Sequence, residues 1–113
     1  MDRNIDSEIE RHIFMLRHGE RADILEKKNK VKTYRNLCDP PLTPLGMIQA
    51  EESGRKLVEH LTQLLSETSS EYTIIVECSP FLRCLQTAAL AVKQLRSSES
   101  IKEALPEQIV VNF

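Results

Sequence analysis

Glycine is scarce in this 113-residue chain. Its three glycines stand at positions 19, 46 and 54. They build neither the Gly-x-Gly-x-x-Gly turn of dinucleotide-binding folds nor a Gly-Lys-Ser/Thr phosphate loop, so nucleotide binding by those routes is unsupported. Cysteine is scarce and odd in number: Cys38, Cys78 and Cys84. No two have the Cys-x-x-Cys spacing of a metal site, and they read as reduced thiols of a cytoplasmic protein. No apolar run approaches the roughly 18 residues of a membrane span. The first eight residues are polar and acidic, unlike a signal peptide. A strong basic balance is also missing. The formal net charge is −2, which argues against a nucleic-acid binder.

What is present is an alternation of apolar elements. A chain of this size, read as a single domain over 1–113, can bury roughly 65% of its unfolded surface. The run Ile13, Phe14, Met15, Leu16 predicts a buried strand over about 12–17. Residues 20–42 form an irregular stretch in which 23–26 fit one helical turn. Lys27, Lys28, Lys30 and Lys32 read first as a solvated charged loop that needs no function, with a mobile basic rim that draws anions toward His18 as the alternative. Thr43 and Pro44 then match a helix cap and first position. Ala50, Gly54, Leu57, Val58, Leu61, Leu64 and Leu65 follow at helical spacing, and Gly54 would let this helix lie close to a sheet. A second strand is expected over 72–78, with Ile74, Ile75 and Val76 buried on both faces. A second helix would start at Ser79 and Pro80 and end by 97–100, its apolar face carrying Leu82, Leu85, Ala88, Ala89, Val92 and Leu95. Ile109 to Val111 open a third strand. His12 and His60 read as surface residues without a role. Strand, loop, helix, strand, helix, strand implies a parallel α/β sheet with right-handed crossovers.

Two strand ends carry the chemistry. The first is Leu-Arg-His-Gly-Glu-Arg, residues 16–21. His is neutral and nucleophilic near pH 7, and Arg17 and Arg21 supply forked cations suited to phosphate. The second is Cys-Ser-Pro-Phe-Leu-Arg, residues 78–83. There a helix N-terminus offers free N–H groups and Arg83 adds a full charge. Adjacent parallel strands would bring His18, Arg17, Arg21 and Arg83 to one anion.

These motifs, in order with Asp-Pro-Pro-Leu-Thr-Pro-Leu-Gly-Met-Ile-Gln-Ala and Arg-Cys-Leu-Gln-Thr-Ala, resemble the histidine phosphatase superfamily. The details look most like the eukaryotic branch of suppressor-of-T-cell-receptor-signalling phosphatases. The resemblance implies a three-layer, Rossmann-like parallel sheet of the phosphoglycerate mutase-like fold, cut off after its third strand. It implies a phosphoric monoester hydrolase with His18 as the catalytic nucleophile that becomes phosphohistidine. Arg17, Arg21 and Arg83 would be phosphate-binding, and no metal or other cofactor would be needed. Residues 43–50 would be structural, beneath the site. The substrate would be a phosphorylated small molecule or phosphoprotein. The family's acid and second His have no match here: His12 and His60 sit in the wrong elements, and Glu20 follows His18 on its own loop. The alternatives are a weak or inactive fragment that binds phosphate or a partner, and a phosphoglycerate mutase-type phosphotransferase. An incomplete sheet would also leave a face on which copies of the chain associate.

Overall fold

The structure, a computed structural model, describes residues 11–24, 39–68, 71–104 and 109–112. The lysines from Lys27 to Lys32, read as a solvated loop or a basic rim, lie outside them, as does Cys38. Helix α1 spans Pro44–Ser66. Thr43 caps it from an extended backbone, its Oγ1 accepting from Gly46 N at 2.9 Å, and Pro44 occupies the first turn. The predicted stripe is the packed one. Ala50, Gly54 and Leu61 are buried, while Leu57, Val58, Leu64 and Leu65 are half-buried.

Strand β1 (Ile74–Glu77) follows, then helix α2 (Leu82–Ser97), helix α3 (Glu99–Ala104) and strand β2 (Ile109–Asn112). The two strands pair in parallel, Ile74 opposite Ile109 and Glu77 opposite Asn112. Cys78 N extends the ladder to Asn112 O at 3.2 Å. Among the described residues, this α/β arrangement has one two-stranded sheet. Leu61 of α1, Leu95 of α2 and Ile101 of α3 form the core, with Ile74 of β1 packed against it.

The sequence expectations need correcting in six places. Residues 12–17 form no strand. A strand needs a neighbour to take its backbone N–H and C=O groups, and no described strand adjoins this run. Ile13 and Met15 are therefore 85% and 93% exposed. The segment leans on the rest through rings, His12 edge-on to Tyr72 and Phe14 tilted against His60. Strand β1 is shorter than expected and alternates, with Ile75 59% exposed, because no described element covers its outer face. Gly54 meets helix α2 instead of the sheet. A Cβ there would lie 2.9 Å from Ala91 Cα, so its bareness lets two helices cross closely.

Helix α2 begins at Leu82, two residues late, and its cap residue Phe81 has no side-chain capping bond. Asp39 substitutes from far along the chain, its Oδ1 accepting from Leu82 N at 2.7 Å. On α2 the buried face is Thr87, Ala91, Val92 and Leu95, so that Leu82 and Ala89, expected inside, are exposed. Helix α3 stands where the sequence predicts no element. The serine that ends α2 caps the next helix: Ser98 Oγ accepts from Ile101 N at 3.4 Å and Ser98 O from Lys102 N at 3.0 Å.

Candidate functional site

The loop that follows residue 16 is held from three sides. Gly19 N donates to Thr87 Oγ1 at 3.3 Å, and Thr87 Oγ1 donates in turn to Arg83 O at 2.7 Å. The Arg-His-Gly segment is thereby tied to the first turns of α2. Gly19 also crosses the start of α1 at a distance that only glycine permits. A Cβ on Gly19 would sit 2.1 Å from Gly46 O, and one on Gly46 would sit 2.4 Å from Glu20 O.

Glu20 completes the clamp. Its backbone N donates to Gln49 Oε1 at 2.8 Å, its carbonyl accepts from Thr43 N at 2.9 Å, and its carboxylate accepts from Thr43 Oγ1 at 2.8 Å. Beyond it, Arg21 and Leu42 make an antiparallel bridge, and Ala22 N donates to Pro41 O at 2.8 Å. Leu42 N reaches Gln86 Oε1 of α2 at 2.8 Å. Leu42, Thr43, Gly46 and Gln49 of the Leu-Thr-Pro-Leu-Gly-x-x-Gln run all bear on the loop.

This scaffold opens a cavity of about 400 Å³. Arg17, His18, Glu20 and Arg21 line it, with Ile24 beside them and Gln49 and Ser53 contributed by α1. Three of the four expected site residues are gathered there. The fourth, Arg83, is not among the lining residues. It is half-buried, with its guanidinium 4.6 Å above the Phe81 ring, and its Nε is buried without a hydrogen-bond partner. It is connected to the loop through its own carbonyl and Thr87.

His18 is oriented by its neighbour. Its Nδ1 lies 2.8 Å from Gly19 O. A carbonyl oxygen only accepts, so Nδ1 carries the proton and the lone pair falls to Nε2. Arg21 is gripped by Asp23 on the helical turn at 22–24, through Nε to Oδ1 at 3.0 Å and Nη2 to Oδ2 at 2.6 Å. Burial pushes the Asp23 carboxyl up. The hydrogen bond and charge of Arg21, with backbone N–H donors, outweigh it and hold the group below the usual carboxylate value. Burial, followed by the neighbouring Cys84, pushes the Cys78 thiol up. Both cysteines are free and half-buried. Among the described residues no group of three His, Cys, Asp or Glu is arranged to hold a metal ion. No helix there is long and apolar enough to cross a membrane.

Gln49 and Ser53 were missed as lining residues, and Asp39, Gln86 and Thr87 as supports. A signal existed for the first two: Gly46, Gln49 and Ser53 fall on one helical face. None existed for the others, whose partners lie 43 to 68 residues away.

Comparison with known proteins gives the family of the chain. The profile of the histidine phosphatase superfamily (branch 1) matches residues 13–111, and the chain belongs to that family. Among its relatives is mouse ubiquitin-associated and SH3 domain-containing protein B, 30% identical over 118 residues that cover 81% of this chain and 17% of the relative. The mouse A protein is 27% identical, over 81% of this chain and 18% of its own length. The ecdysteroid-phosphate phosphatase of Drosophila melanogaster is 28% identical, over 76% of this chain and 14% of its own. The matched region thus spans under one-fifth of each of these relatives. The resemblance read from the motifs to the histidine phosphatases, and to their T-cell-receptor-suppressor branch, holds.

Proposed function

We propose that this chain carries the nucleophile half of a phosphoric monoester hydrolase site, set in a three-layer Rossmann-like fold. In this reading His18 Nε2 attacks phosphorus, the N–P bond forms, and the P–O bond to the leaving alcohol breaks. The departing oxygen takes a proton. Water then forms a new P–O bond, the N–P bond breaks, and inorganic phosphate leaves. Arg17, Arg21 and Arg83 bind the phosphoryl oxygens and offset the charge that develops on them. The substrate is a phosphorylated small molecule or phosphoprotein. The observation that carries this reading is the cavity uniting Arg17, His18 and Arg21, in which the Gly19 carbonyl leaves Nε2 as the basic nitrogen. Arg83 supports it less directly, as a cation with a buried, unpartnered Nε one bond network away.

A second reading is phosphate binding with little turnover. The uncovered apolar segment ahead of His18, with Ile13 and Met15 exposed, favours it. No residue of the cavity is assigned as the acid for the leaving group, and loss of such assistance costs roughly 10²–10⁴ in rate. One experiment separates the readings. The chain and its His18→Ala variant are incubated with a chromogenic aryl phosphate, and acid-labile, base-stable phosphate is trapped on the protein. Turnover and trapped phosphate confined to the wild type carry the hydrolase. Equal background rates with no trapped phosphate leave phosphate binding alone.

A further inference from the structure

Arg21 differs from the other cations of the cavity in how it is held. It meets Asp23 edge to edge, Nε to one carboxylate oxygen and Nη2 to the other. Both side chains are less than one-third exposed, at 29% and 24%. The chain is fixed just before Asp23 as well, Arg21 by its bridge to Leu42 and Ala22 by Pro41 O. Arg55, by contrast, sends Nε and Nη2 to a single oxygen, Glu52 Oε2, in an exposed pair within one helix, of the kind that contributes little.

A guanidinium has five N–H groups. Asp23 takes one from Nε and one from Nη2, which leaves both Nη1 protons and the second Nη2 proton. Arg21 lines the cavity beside His18. We propose that Asp23 is a positioning residue for phosphate: it fixes one edge of the Arg21 guanidinium so that the other edge meets a phosphoryl oxygen already oriented. This rests on the phosphate-binding reading above. Arginine binds anions through a planar fork, and a fork held in place loses less side-chain freedom on binding. A carboxylate that only neutralised Arg21 would act in the opposite direction.

The test uses the full chain with inorganic phosphate as probe, titrated calorimetrically against the wild type, Asp23→Asn, Arg21→Ala and the double variant. Asp23→Asn keeps shape and removes charge. It is expected to weaken phosphate binding roughly 2- to 12-fold, the range for immobilising one long side chain. In the Arg21→Ala background it should change nothing further, because Asp23 acts through Arg21. Asp23→Glu, which keeps the charge, should recover affinity toward the wild type and serves if the Asn variant folds poorly. Unchanged or tighter binding in Asp23→Asn, an equal loss in both backgrounds, or a Glu variant no better than Asn overturns the proposal. Wild type that binds phosphate normally while Asp23→Asn matches it removes only the positioning role. Wild type that binds no phosphate removes the phosphate reading itself, and the positioning role with it.

Discussion

Helices α1 and α2 start from the same sequence logic, Thr-Pro in one and Ser-Pro in the other, yet they start differently. Thr43 caps α1 with its own hydroxyl, and Pro44 fills the first turn. Ser79 does not cap α2; its Oγ is only 3.5 Å from Phe81 N, a marginal contact. The helix begins at Leu82 and takes its carboxylate from Asp39. The first start is closed locally, and the second is closed by a segment 43 residues away. That difference matters for function. Residues 39–43 hold both starts at once, and the His18 loop is hung between them through Thr43 and Thr87.

The comparison can be broken at several points. The largest effect is expected from Gly46→Ala. The added Cβ would lie 2.4 Å from Glu20 O, and backbone on both sides would have to move. A loss of about 3 kcal/mol or more is expected in chemical denaturation, with loss of phosphate binding. A wild-type midpoint would mean the glycine crossing does not hold the loop. Thr43→Ala comes next, at about 1–2 kcal/mol, since it removes the cap on Gly46 N and the donor to Glu20 together. Thr43→Ser should restore most of it.

Asp39→Ala is expected to cost about 1 kcal/mol, whereas Ser79→Ala should stay within about 0.5 kcal/mol. The reverse order, read from the same denaturation curves, would return the cap of α2 to its local serine. The smallest effect concerns acid. The folded Asp23 carboxyl lies below its ordinary value, so its stabilising contribution is complete above that value and is lost as pH falls through the lowered native one. Asp23→Asn should therefore flatten the acid limb of a stability-against-pH curve and leave neutral pH nearly unchanged in shape. A limb as steep as the wild type's would show that Arg21 does not hold Asp23 ionised.

Much of the candidate site was legible because its signals are local. His18 between Arg17 and Arg21 is a statement about residue types on one loop, and the loop brings all three to one cavity. The helical stripe from Ala50 to Leu65 obeys a period that any stretch of chain displays. The strands were harder. An apolar run such as 13–16 states that it wants to be buried, but a strand exists only where another strand accepts its hydrogen bonds. The same gap explains β1: Ile74 to Val76 is continuous in sequence, and without a described element over one face it alternates in exposure. Arg83 belongs to this second kind of problem. Its place relative to the cavity depends on how α2 packs, and it came to rest over Phe81.

The sequence by itself determined the chemistry on offer. It holds a histidine between forked cations, a helix start written into Thr43 and Pro44, and a glycine at each place where two backbones cross, because these follow from side-chain identity and short-range sterics. Only the tertiary structure decided which groups work together. Gly19 against Gly46, Asp39 beneath Leu82 and Thr87 beneath Gly19 are contacts between distant segments. The packing of α1 on α2 had to bring those segments within hydrogen-bond reach before any of them could exist.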